Sequence, residues 1–249
     1  MRELLGFIEA IGFLTIIPVP SFNQEKPSDT GRCLSFFPVI GLGIGAILLL
    51  IFWLLSFLFA SQVNFAIVIA AGVILTGAHH IDGLADTFDG MVAGKTRKQR
   101  LNIMSDNKVG AFGITALILV LLMKFASLNS NPLVVPALLL MPVMSRWMMV
   151  SAMFIMPAAR QSGMGFAFKQ GATWGRFISA TVFAAMIAVL VINLQGLVLL
   201  ALLWIVVTLI ALFFRWRFGG LTGDNYGAIN ELAEVLTVLL IIIVFRFFK

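Results

Sequence analysis

Residues 75–113 read LTGAHHIDGLADTFDGMVAGKTRKQRLNIMSDNKVGAFG, and this polar island in an oily chain governs how the rest is read. It holds four of the eleven acidic residues (Asp82, Asp86, Asp89 and Asp106), both histidines and five of the seventeen basic residues. On a helix turning about 100° per residue, Asp82, Asp86 and Asp89 fall at 0°, roughly +40° and roughly −20°. Three carboxylates then share one stripe, with neighbouring Cβ atoms about 5–6 Å apart. Like charges that close repel, so the stripe needs a counter-charge. A divalent cation, a cation with bound phosphate, or the nearby lysines and arginines can supply it. Hard oxygen ligands select Mg²⁺, Mn²⁺ or Ca²⁺ over zinc, and Mg²⁺ is usually held by one or two carboxylates together with substrate phosphates. Acids placed near a helix start in a solvated loop are the plainer use of the same residues.

The sequence around the island is apolar. Hydrophobic residues make up 61% of the 249 positions and charged residues 11%, with a mean hydropathy of +1.06. A soluble domain is roughly half apolar and a quarter charged, so the composition predicts an all-α polytopic membrane protein in one domain, residues 1–249. The net charge of +6 fits basic loops on one membrane face, and no nucleic-acid partner is expected. Cys33 is the single cysteine, which excludes an internal disulfide or a thiolate metal site. A cleavable signal peptide is not expected, because no small-residue cleavage site precedes Pro18 and Pro20.

Hydropathy predicts about seven spans, over 34–60, 63–78, 111–128, 133–156, 177–194, 197–214 and 235–248. The apolar stretch 4–17 carries Glu9 and ends at Pro18. It is too short to span and reads as interfacial or re-entrant. Gly41, Gly43 and Gly45 lie within the first span without a preceding strand, so they read as a helix-packing run rather than a nucleotide-binding turn.

Basic residues fix the orientation. Arg2, Lys26 and Arg32 precede the first span; Lys95, Arg97, Lys98, Arg100 and Lys108 lie between the second and third. Arg160, Lys169 and Arg176 lie between the fourth and fifth, and Arg215 and Arg217 between the sixth and seventh. The connections near Ser61, 129–132 and 195–196 carry none. The N-terminus and all three long loops are therefore expected on the cytoplasmic face, in the inner membrane of a bacterial cell.

Two charges fall inside spans. Lys124 reads as snorkelling to the outer interface. Arg146 is deeper and is expected to face the bundle interior, toward a ligand phosphate, a buried carboxylate or water. A second polar cluster, GGLTGDNYGAINELAEV (219–235), carries Asp224, Asn230, Glu231 and Glu234, and its glycines allow close approach to an anion. Arg160 and Lys169 sit among glycines in the third loop. Carboxylates for Mg²⁺, arginines for phosphate and glycine-rich loops on one face describe an enzyme moving a phosphate-linked group between a membrane-associated substrate and a soluble one. CDP-alcohol phosphotransferases fit less well, because Asp86 occupies the Ala position of their motif. UbiA-type prenyltransferases share only a loose Asp-x₃-Asp. A transporter is the competing class and a non-catalytic scaffold a third, although acids gathered on one face argue against both.

The blocks TGAHHIDGLADTFDG and IMSDNKVGAFG, with FLTIIPVP, FFPVIGLGIG, SRW, PAAR, GMG and GLTGDNYGAINELAE, run in one order over essentially the whole chain. Together they resemble the cobalamin synthase family, adenosylcobinamide-GDP ribazoletransferase (CobS). The resemblance implies Mg²⁺-dependent transfer of adenosylcobinamide phosphate from adenosylcobinamide-GDP to α-ribazole or its 5′-phosphate, releasing GMP. It implies Asp82, Asp86, Asp89 and Asp106 as metal ligands. Arg146, Arg160 and Lys108 would face phosphate, and Asp224, Asn230, Glu231 and Glu234 would lie on the substrate side. His80 would orient an aspartate or act as a base. Ile16 and Lys108 stand where the family often has Arg, and His79 replaces an apolar residue. A homo-oligomer is compatible with the sequence.

Overall fold

The structure, a computed structural model, describes residues 2–20, 31–106 and 108–247. The polar connection at 21–30 with Lys26, and the end of the last span at Phe248, lie outside the described residues. The chain forms eleven α-helices among the described residues, with no strand beyond an isolated bridge between Ala158 and Leu221. They are α1 (Arg2–Leu14), α2 (Phe37–Leu55), α3 (Ser61–Leu75), α4 (His79–Ala93), α5 (Arg97–Ile103), α6 (Ala111–Asn129), α7 (Val134–Ile155), α8 (Met164–Gly171), α9 (Trp174–Ile192), α10 (Gln195–Phe218) and α11 (Gly223–Phe247). A 3₁₀ turn, Gly31–Phe36, leads into α2.

Six helices are long and apolar enough to cross a membrane: α2 with its leading turn, α6, α7, α9, α10 and α11. The second expected span, 63–78, does not run straight on. α3 and α4 meet at 89°, because Gly77 and Ala78 both take left-handed backbone, at φ 65° and 58°. α4 therefore turns across the end of the bundle. The part of the polar island that carries Asp82, Asp86 and Asp89 is helix, and Asp106 and Lys108 lie in the connection before α6.

α7 is the centre of the bundle, with 83% of its apolar window buried. α2 packs on it closely where two of the three glycines lie. A Cβ on Gly41 would run into the Pro142 carbonyl, and one on Gly45 would lie 2.8 Å from the Leu138 carbonyl oxygen, whereas Gly43 faces open space. Small residues four apart let the backbones touch. α11, on another side of α7, starts at Gly223 rather than near Val235. The second polar cluster is thus its first three turns. Exposed Leu50, Trp53, Ile118, Leu122, Leu190 and Leu209 cover the outside of the bundle, as a lipid-facing surface requires. α1 is docked rather than spanning: the Ile16 amide donates to the Leu75 carbonyl (2.9 Å) at the end of α3. Phe13 stacks on Phe37 of α2 and meets Phe168 of α8 at 4.5 Å between ring centroids.

Candidate active site

The three basic loops converge on one end of the bundle, and arginines tie them together. Arg97 donates to the Ala159 carbonyl (3.1 Å) and Arg160 to the Leu101 carbonyl (2.6 Å) and Ser105 Oγ (2.8 Å). Arg100 donates to the Arg217 carbonyl (3.0 Å), and Arg217 in turn to that of Met91. Leu221 N donates to the Pro157 carbonyl (2.8 Å). Charges counted only for topology therefore also join the loops.

α4 lies against the first turns of α11 with almost no side chain between. A Cβ on Gly83 would fall 2.8 Å from the Asp224 carbonyl oxygen, and one on Gly227 3.1 Å from that of His80. Thr87 Oγ1 accepts from Asn225 Nδ2 (3.0 Å), and Asn225 Oδ1 accepts the Thr222 amide (3.0 Å). This backbone approach sets Asp224, from the second cluster, beside Asp82 and Asp86 from the first. Asp86 is half-buried. Burial first, then the charges of Asp82, Asp224 and Asp89, push its carboxyl up to about 7. Arg160 lies within electrostatic reach of Asp224. A cavity of about 190 Å³ lined by Arg160, Ser162, Gly163, Gly165, Gly223 and Asp224 opens there. Gly163, at φ 88°, is one position where the loop needs glycine.

Other expected ligands stand elsewhere. Asp89 is buried and turned to the start of α6, where Oδ2 accepts the Gly110 amide (2.6 Å) and Oδ1 the Gly113 amide (2.9 Å). It satisfies helix-start amides. Asp106 and Lys108 are exposed, and Asp106 is not among the carboxylates whose charge acts on Asp86. The four-aspartate metal set is therefore not assembled. Among the described residues, no three or more His, Cys, Asp or Glu side chains are grouped closely enough to hold a metal ion by themselves. The hard-oxygen group Asp82, Asp86 and Asp224 still fits Mg²⁺ shared with substrate phosphates, because one or two carboxylates suffice there and the crowded charge asks for a cation.

Glu231, Glu234 and Asn230 sit deeper on α11. Lys124 Nζ lies 2.6 Å from both Glu231 Oε2 and Glu234 Oε2. Arg146 pairs with Glu234 Oε1 and donates to Ser145 Oγ (2.9 Å), while Asn230 Nδ2 reaches Glu231 Oε1 at 3.2 Å. Lys124 is 4% exposed, so it does not snorkel. Arg146 does face the interior, and its partner is a carboxylate. His80 is buried near this network and lines the cavity that also borders Asp82, and its Nδ1 has no partner.

The arrangement is that of a multi-pass membrane protein with an acidic site and a glycine-lined cavity at one end. The CobS family, described as cobalamin-5-phosphate synthase, matches residues 6–242, and the chain belongs to it. An adenosylcobinamide-GDP ribazoletransferase of Roseiflexus sp. (strain RS-1) is 37% identical over 92% of this chain and 86% of its own length. Enzymes of the same name from Acetivibrio thermocellus and Caldanaerobacter subterraneus subsp. tengcongensis are 36% and 35% identical, each over 96% of this chain and 98% of their own. No solved structure matches. The chain is thus a membrane transferase of cobalamin biosynthesis, and the transporter and prenyltransferase readings fall away.

Proposed function

We propose that the chain transfers adenosylcobinamide phosphate from adenosylcobinamide-GDP to α-ribazole or α-ribazole 5′-phosphate, with Mg²⁺, at the cytoplasmic face of a bacterial inner membrane. The observation carrying this reading is the meeting of Asp82, Asp86 and Asp224 beside Arg160 and the glycine-lined cavity. Family membership supplies the reaction, and the lysine and arginine distribution supports the orientation.

The ribazole 3′-hydroxyl attacks the phosphorus nearer the cobinamide. A new O–P bond forms there, the bond from that phosphorus to the GMP oxygen breaks, and the hydroxyl proton passes to water. Such transfers depend on positioning and charge neutralisation more than on covalent enzyme chemistry. One or two of Asp82, Asp86 and Asp224 would hold Mg²⁺ together with substrate phosphate oxygens, and the cation would neutralise pyrophosphate charge there. Arg160 receives the charge that develops on GMP, and backbone amides of Gly163 and Gly165 can approach the same oxygens. His80 holds the α4 end of the site, with Nδ1 free for a substrate or an ordered water.

Asp82→Asn tests the assignment because Asp82 is exposed and the exchange keeps its shape. Turnover falls by roughly 10²–10³ with folding unchanged. Full turnover with unaltered Mg²⁺ dependence would remove the carboxylate site from the mechanism.

A further inference from the structure

A second cavity, of about 400 Å³, adjoins the first and shares Met164, Gly165, Gly223 and Asp224 with it. Its character is different. Met149 and Met153 of α7, Met164 and Phe168 of α8, Phe13 of α1 and Tyr226 of α11 give it a sulfur and aromatic lining, with His79 and His80 beside them. Asp82 and Asp224 lie on the side where it meets the acidic site. On the far side of the glycine-lined cavity, Arg160 also borders an open depression lined by Arg97, Lys98, Asn102 and Ser105. The end of the bundle thus runs from sulfur and phenyl surface, through carboxylates, to a basic face.

We infer that the methionine- and phenylalanine-lined cavity is the acceptor subsite and takes the benzimidazole base of α-ribazole. This rests on the ribazole-transfer reading above. Three ligand portions compete for the space. A corrin macrocycle with its side chains is far too large for about 400 Å³. Guanine carries O6, N7 and an amino group along its edge and suits this wall less well, because the carboxylates that could pair with it, Asp82 and Asp224, are those facing the cation and the pyrophosphate. A benzimidazole is planar and apolar except for one ring nitrogen. Methionine suits flat aromatic rings, through adaptable shape and sulfur–ring contacts. The wall also offers polar groups for a single nitrogen: the Tyr226 hydroxyl, on a residue 1% exposed, and His80 Nδ1 find no partner in the protein. With the base there, the ribose hydroxyls point toward Asp82 and Asp224, and the nucleotide phosphates of the donor fall to Arg160 and the basic depression.

The subsite is tested at His79, which lines this cavity and not the glycine-lined one and is exposed, so it tolerates a larger side chain without repacking the bundle. His79→Trp narrows the cavity. Equilibrium dialysis of α-ribazole against detergent-purified protein is expected to show at least tenfold weaker binding to His79→Trp than to wild type. GMP binding to the two proteins is expected to stay within twofold. Steady-state kinetics are expected to raise KM for α-ribazole, not for adenosylcobinamide-GDP. Tyr226→Phe, which removes only the hydroxyl, is expected to weaken α-ribazole binding severalfold.

If His79→Trp weakens GMP binding and spares α-ribazole, the cavity belongs to the donor and the inference is overturned. Unchanged binding of both overturns it as well. Wild-type protein that binds α-ribazole in a His79-sensitive way yet releases no GMP supports the subsite while contradicting the proposed reaction, so the two failures are distinguishable.

Discussion

Lys124 Nζ and Glu231 Oε2 lie 2.6 Å apart inside the bundle, joining α6 to α11 with both residues almost fully buried. Glu234 and Arg146 complete a four-charge group whose formal charges cancel. Removing one member leaves an uncompensated buried charge, which costs about 3–5 kcal/mol. Lys124→Met therefore lowers thermal stability in detergent sharply, and pairing it with Glu231→Gln restores part of the loss. A snorkelling lysine would give no such change.

Asp86 and Asp89 are predicted to part company on substitution. Asp89→Ala strips two amides at the start of α6 of their acceptor and costs about 1–2 kcal/mol of stability. Asp86→Asn relieves repulsion among carboxylates, so Tm holds or rises while turnover collapses. Thermal melts beside activity measurements separate the two. An Asp89→Ala protein that is fully stable but inactive would return Asp89 to the metal site.

Stability without metal should carry the mark of Asp86. Its carboxyl is raised from 3.8 to about 7 by burial and by its acidic neighbours. The native state then keeps a proton that the unfolded chain has lost. Stability falls as pH climbs from about 4 to about 7, and this contribution is flat above. Mg²⁺ binds the ionised form, so its addition raises Tm more at about pH 8 than at about pH 6. Equal increments at both values would separate Asp86 from the cation.

Ala78 takes left-handed backbone at φ 58°, in the bend that swings α4 across the bundle. That conformation costs an L residue about 1–2 kcal/mol. Ala78→Gly raises Tm slightly, and Ala78→Val, with its branched side chain, lowers Tm and activity together. A neutral valine variant would show that the bend is not fixed there.

Much of this was legible in the sequence. Composition and hydropathy give the spans, and the blocks around Asp82 and Asp224 give the family. Angular position on a helix is only half the geometry. Asp82 and Asp89 share a face of α4, yet seven residues of rise separate them by about 10 Å, enough to hand Asp89 to α6. The same rise divides the second cluster. Asp224 stands at the start of α11, while Glu231 and Glu234 lie about 10–15 Å further along it, level with Lys124 and Arg146. Which lysine or arginine meets which glutamate depends on the register of three helices, and no local pattern carries that. The 89° break was hidden because Ala78 gives no sign of a left-handed residue. The second cavity was hidden because Phe13, Met153, Phe168 and Tyr226 come from four separate helices.

The most direct test of the central claim is GMP release by detergent-purified protein given adenosylcobinamide-GDP and α-ribazole 5′-phosphate, with and without Mg²⁺. The account predicts release that requires both substrates and the cation and is lost in Asp82→Asn. Release without α-ribazole 5′-phosphate, or without Mg²⁺, or no release from folded protein in lipid, would contradict it.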